Sequence, residues 1–197
     1  MTMSKSWALV VAGYSVLAVA MLAFLTVNGV SSTAAGTIGI AGLLVLGLLL
    51  PAAGMLELAS RTDPPQGTAR KGLVLQSLSL IGLLIGFAVS FAASSLSGHL
   101  AAGVVIVLSG TAGLAGAIFI SKEARARQLV AGAALIAIGA ALIPASNIAL
   151  LAGWLVDIDK NIYEDIGATI AGCGSVMAAY SFFVLRRRGT APVVSTS

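Results

Sequence analysis

The sequence predicts an all-α polytopic membrane protein: six transmembrane helices arranged as three hairpins, with both termini in the cytoplasm. Three observations lead there. First, 58% of the 197 residues are hydrophobic and only 9% are charged, whereas a soluble domain carries about 25% charged residues. A chain so poor in charge cannot cover a globular surface with polar groups, so its surface must face lipid. Second, there are six continuous apolar runs, at about residues 7–27, 36–58, 73–95, 99–120, 129–154 and 164–185. Each is near or above the roughly 20 residues that cross a hydrocarbon core. Third, ten of the eleven Lys and Arg residues fall on one side of the topology these runs define. A transmembrane β-barrel would instead alternate apolar and polar residues in short segments. The unbroken run from Ile38 to Leu50 excludes that pattern.

Residues 1–188 are therefore expected to form a single bundle, and 189–197 a flexible cytoplasmic tail. The first run follows a short polar start with one basic residue, Lys5. It is longer than the h-region of a signal peptide, so it is read as a retained helix, with Trp7 at the inner interface and Asn28-Gly29 ending it. The second run is rich in glycine and is interrupted by Pro51. Proline inside a helix removes a backbone hydrogen bond and kinks the chain. In lipid that requires a neighbour to satisfy the freed carbonyl. Glu57 and Arg61 follow, spaced for a helical ion pair. The linker to the third run contains Pro64-Pro65 and Gly67 and reads as a turn. The third run carries Ser77, Ser79 and Ser90, and the fourth is again glycine-rich and ends at Ser121-Lys122-Glu123. The fifth and sixth runs flank the most acidic stretch, Asp157 to Asp165, and the sixth stops at Arg186-Arg187-Arg188.

Orientation follows from counting basic residues in short loops. Lys5, then Arg61, Arg70 and Lys71, then Lys122, Arg125 and Arg127, then Arg186 to Arg188 all fall at the termini and the even-numbered loops. The odd loops hold only Lys160. With compact loops and an Ala/Gly/Leu/Val-rich composition, the expected location is a prokaryotic cytoplasmic membrane. The net charge of +4 sits beside helix ends, where it sets orientation, and does not suggest nucleic acid.

The groups needed for chemistry are sparse. No Lys, Arg or Asp lies near the middle of a run, which argues against a proton pump, voltage sensor or ion-coupled carrier. Glu57 either pairs with Arg61 at the interface or guards a pore mouth. His99, the only histidine, cannot build a bis-histidine haem site or a zinc triad alone. It is expected at the interface, with water reaching its ring. Leu108-Ser109-Gly110 lacks the general base that a serine nucleophile requires. Cys173 is a lone cysteine and allows no intrachain disulfide. Asp157, Asp159 and Asn161 open like a calcium loop, but Ile162 and Ala168 stand where the turn glycine and the bidentate carboxylate belong. Asp157, Asp159, Glu164 and Asp165 therefore read as a solvated turn, with loose cation attraction as the alternative. No catalytic set, metal site or cofactor is expected.

Small residues carry the strongest remaining pattern. Gly167, Ala171, Gly174 and Ala178 recur on one face of the sixth helix, opposite Ile170, Cys173, Met177, Tyr180 and Val184. Ala133, Ala137, Ala140, Pro144 and Asn147 form a similar seam on the fifth, and Gly110 and Gly113 contribute on the fourth. In lipid, such seams let backbones approach and drive association, either within the chain or with another subunit. Pro144 frees the carbonyl of Ala140. Ser175, or a water it holds, is expected to donate to it from the sixth helix, and Asn147 to bond across to the level of Gly167 to Thr169.

The even-numbered helices end in Ala53-Gly54 before Arg61, Ala115-Gly116 before Lys122, and Ala178-Ala179 before Arg186. This layout of three hairpins, with small pairs before each charged helix end, resembles the acid-resistance membrane proteins of the HdeD type. It includes no diagnostic motif, and no residue or activity is carried over. The functional expectation is a non-enzymatic structural or accessory subunit that packs in the lipid bilayer with other membrane subunits or as a homo-oligomer. The alternative is a channel or carrier for a small neutral solute, with Pro51 and Pro144 shaping a lumen.

Overall fold

A computed structural model of the chain describes residues 3–29, 34–61 and 67–187. Among these residues the secondary structure consists of six α-helices: α1 (Met3–Gly29), α2 (Ala34–Ser60), α3 (Thr68–Ala92), α4 (Leu96–Ala124), α5 (Arg127–Leu151) and α6 (Asp157–Arg187). All six are long and apolar enough to cross a membrane. The protein is an all-α, multi-pass integral membrane protein. The Pro64-Pro65 turn and the 189–197 tail lie outside the described residues.

Most helices extend past their apolar runs, because polar flanking residues continue the backbone hydrogen-bond ladder. Thus α3 begins at Thr68 and takes Arg70 and Lys71 into its first turns. α4 begins earlier than residue 99, with Ser95 as its N-cap accepting from the Gly98 N–H, and runs on through Lys122 and Glu123. It stops where Arg125 adopts a left-handed backbone, φ 51°, and returns its N–H to the Ser121 carbonyl. α5 ends before residue 154: Gly153 has φ +74° and its N–H bonds to Leu150.

The acidic stretch is a correction. Asp157 to Asp165 forms the first turns of α6, and the connection consists of residues 152–156. Acidic residues at 157 and 159 favour a helix start, where the backbone dipole attracts negative charge. Lys160 and Glu164, one turn apart, pair along the same helix.

Each helix packs on its neighbours in sequence, and α1 also packs on α6, so the six close into a ring. Contacts across the α1–α2, α3–α4 and α5–α6 boundaries run in opposing sequence directions. Gly54 lies against Ser6 and Gly47 against Leu17; Gly72 lies against Gly116 and Gly86 against Ile106; Gly132 lies against Gly174 and Gly167 against Gly139. Backbone meets backbone closely between α5 and α6. A Cβ on Gly174 would sit 2.6 Å from the Gly132 carbonyl oxygen, and one on Gly132 would sit 2.8 Å from that of Gly174. Only glycine lets two helix backbones meet so closely.

α6 is buried on two faces because it closes the ring. Gly167, Gly174 and their neighbours meet α5, while Gly172 meets Met21 of α1, and Phe182 packs on Trp7 and Tyr14. Trp7 is consequently buried, rather than exposed in an interfacial belt. Tyr14, Leu17, Leu48, Met55, Leu80, Ile106 and Phe182 are among the fully buried side chains. Ile38, Val104 and Leu108 are exposed, as expected of surfaces that face lipid.

Candidate functional site

A buried polar link in the interior joins three helices. α1 places Tyr14 on the buried face it shares with Val10, Leu17 and Met21, and α3 places Gln76 among Leu73, Leu80 and Leu83. Tyr14 Oη donates to Gln76 Oε1 at 3.0 Å. Gln76 Nε2 then donates to the Gly113 carbonyl of α4 at 2.6 Å. A carbonyl has two lone pairs, so Gly113 can accept this bond and still serve its own helix. The Tyr14 ring stacks on Phe182, with centroids 5.9 Å apart and planes at 12°. Sequence reading missed this pair. The available signal was that Gln76 is the only carboxamide in the run 73–95 and Tyr14 the only tyrosine in 7–27, since a polar group in apolar surroundings needs a partner.

Beside this link little space is left. Tyr14, Gln76, Ser79, Gly110, Gly113 and Ala137 line a cavity with about 10 Å³ available to the centre of a water molecule. That is close to the minimum that holds a single water. Ala133 and Ile136 complete its α5 wall.

A second polar group lies near the start of α6. Glu164 is 5% exposed, pairs with Lys160 Nζ at 3.2 Å and accepts from Asn147 Nδ2 at 2.9 Å. Expected in a solvated turn, Glu164 is instead buried, because the helix continues through it and turns it toward α5. Asn147 does cross to α6, but at Glu164 rather than at Gly167 to Thr169, and its amide also donates to Ile143. Ser146 donates to the same carbonyl. Asp157 and Asp159 remain exposed, and Asp165 is half-buried.

The structure redistributes the small-residue positions. Gly167, Ala171, Gly174 and Ala178 meet α5, but their counterparts there are Gly132 and Gly139. Ala137 lies against Gly110 of α4, and Pro144 lies beside Gly103 of the same helix. Ala140 is buried. The α5 stripe from Ala133 to Pro144 thus faces the centre and α4, because glycine outcompetes alanine for the closest contact with α6.

Ser175 is another correction: its hydroxyl donates to Ala171 of its own helix at 2.8 Å, not to Ala140. A serine within a helix reaches the carbonyl one turn back without crossing an interface. His99 is also corrected, being 7% exposed with no hydrogen-bond partner at Nδ1. α4 begins one turn before it and rotates it onto the buried face of Ala102 and Ile106. Glu57 pairs with Arg61 at 2.5 Å. Pro51 is seated against Gly13 of α1, and Ser77 donates to the adjacent Ala52 carbonyl at 2.9 Å. Among the described residues no three His, Cys, Asp or Glu side chains come together.

No family model, curated protein or solved structure matches the chain.

Proposed function

We propose that the protein is a non-enzymatic membrane component, a structural or accessory subunit that packs with other membrane proteins or with itself. The observation that carries this reading is how little space is left beside the Tyr14–Gln76–Gly113 link. The space left by the Tyr14–Gln76–Gly113 link holds about one water, too little for a neutral solute to pass at that point. Pro51 and Pro144, which would shape a lumen, are instead packed against Gly13 and Gly103 at helix contacts. Gln76 and Ser77 bond to neighbouring helices, while Ser109, Ser175 and Ser181 bond to carbonyls of their own helices, an arrangement unlike a nucleophile with its base.

In this reading the helices form three hairpins, α1–α2, α3–α4 and α5–α6, in a prokaryotic cytoplasmic membrane with both termini inside. The opposing register of the glycine contacts and the basic residues at one end support it. Reporter fusions at Gln66 and at the carboxyl terminus are expected to read cytoplasmic, and one at Lys160 external. A cytoplasmic signal at Lys160 overturns the orientation. Extraction from the native membrane in mild detergent, after cross-linking, is expected to recover a stoichiometric foreign subunit or a homo-oligomer. Recovery of monomer alone refutes the subunit role, and flux of water, glycerol or urea through proteoliposomes above that of empty liposomes would favour a channel.

A further inference from the structure

We infer that a groove between the start of α3 and the end of α4 binds the headgroup of an anionic glycerophospholipid. The groove has a volume of about 380 Å³ and is lined by Arg70, Lys71, Val74, Leu75 and Phe119. Its two cations sit side by side in the first turns of α3, with Lys71 exposed and Arg70 half-buried. Val74 and Leu75 lie one turn further along the same helix, roughly 6 Å deeper along its axis, and Phe119 of α4 faces them across the groove. Charge at the mouth and hydrocarbon immediately inward is the order of groups in a phospholipid: phosphate first, then the acyl chains.

Charge complementarity selects an anionic lipid over a zwitterionic one, because a lone phosphate's negative charge is not offset within its own headgroup. The apolar floor selects a lipid over free phosphate, which would leave Val74, Leu75 and Phe119 without a partner. The nearby carboxylate of Glu123, four residues beyond Phe119, accepts from the Thr68 hydroxyl and is thus tied to the first residue of α3. A second cavity at the same end of the bundle, lined by Arg125, Arg127, Gln128, Ser181, Val184 and Leu185, provides an internal comparison. It lies where the α4–α5 connection meets the start of α5 and the end of α6, and carries two cations without an aromatic floor.

The test is a lipid titration of the full-length protein in neutral detergent, read by native mass spectrometry. Phosphatidylglycerol and phosphatidylcholine of identical chains are compared, with millimolar inorganic phosphate as a competitor. Phosphatidylglycerol is expected to be retained in preference. Each basic residue near an anionic membrane surface strengthens binding about fivefold, which sets the scale here. Lys71→Gln alone, at an exposed position, should therefore weaken phosphatidylglycerol about fivefold, and Arg70→Gln with Lys71→Gln about 25-fold. Phosphatidylcholine binding should not change, and Phe119→Ala should weaken both lipids. Equal retention of the two lipids overturns the site, as does displacement by phosphate or an undiminished affinity in Lys71→Gln. An equal loss in Arg127→Gln would reduce the effect to the general charge of that end of the bundle, which also overturns it. The assay needs no membrane sidedness, so its outcome is independent of the proposed orientation and subunit role.

Discussion

Replacing Gly174 with alanine isolates the close packing of α5 and α6. The added methyl would lie 2.6 Å from the Gly132 carbonyl oxygen, 2.8 Å from the Ile136 nitrogen and 2.9 Å from Leu135 Cβ. Two of these three are backbone atoms, which cannot rotate away as a side-chain tip can, so the helices must separate. Gly42→Ala is the control. That glycine lies within α2, and a Cβ there meets nothing within 4 Å. Both substitutions gain the intrinsic helix preference of alanine over glycine, about 0.8–1.0 kcal/mol. That term cancels in their difference, so the gap between the two variants is the overpacking term itself, about 1–3 kcal/mol. Backbone contacts place it toward the upper part of that range. Gly42→Ala should be neutral to slightly stabilising, and Gly174→Ala destabilising. Reversible unfolding in detergent micelles titrated with dodecyl sulfate measures the difference. Adding Gly132→Ala to Gly174→Ala should cost less than the sum of the single changes, since residues in contact are not additive and one separation of the helices relieves both clashes. Equal stabilities for Gly42→Ala and Gly174→Ala would refute the claim that this interface depends on the absence of a Cβ.

Tyr14→Phe removes the donor to Gln76 and should lower stability by about 0.6–1.7 kcal/mol, but far less in a Gln76→Leu background. An unchanged cost there in the same unfolding assay would mean that ring packing on Phe182, not the hydrogen bond, explains the loss. Asn147→Leu deprives buried Glu164 of its amide donor and should cost about 1–3 kcal/mol. Glu164→Gln keeps an acceptor for Asn147 and should cost less; the reverse ranking would show that Asn147 does not serve Glu164. Ser175→Ala should change stability by much less than the ~0.6 kcal/mol average of an interhelical bond, both in wild type and with Pro144→Ala. A loss that vanishes with Pro144→Ala would instead link Ser175 to the proline.

The sequence alone determined the class, because lipid exposure and chain composition are bound together. Six apolar runs with charge only at their ends have no other way to bury their backbone polar groups than as membrane helices. Cys173 and Tyr180 on the outer face of α6 were legible for a related reason: their spacing places them opposite a face of small residues, and both side chains are exposed. Helix ends were less legible, because polar flanks such as Thr68 to Lys71 and Asp157 to Glu164 continue a helix as readily as they interrupt one.

Partner choice was decided only by the tertiary structure. Glycine, alanine and serine are small in every environment, and spacing does not say which neighbour a seam will meet. The α5 alanines could have faced α6; Gly132 and Gly139 took that contact because backbone can approach them more closely. Ser175 could have crossed the interface but bonded within its own turn. Tyr14 and Gln76 lie 62 positions apart in the chain, and no local periodicity connects them. They meet because α1 packs on α6, closing the ring and bringing the interior faces of α1, α3 and α4 to one point.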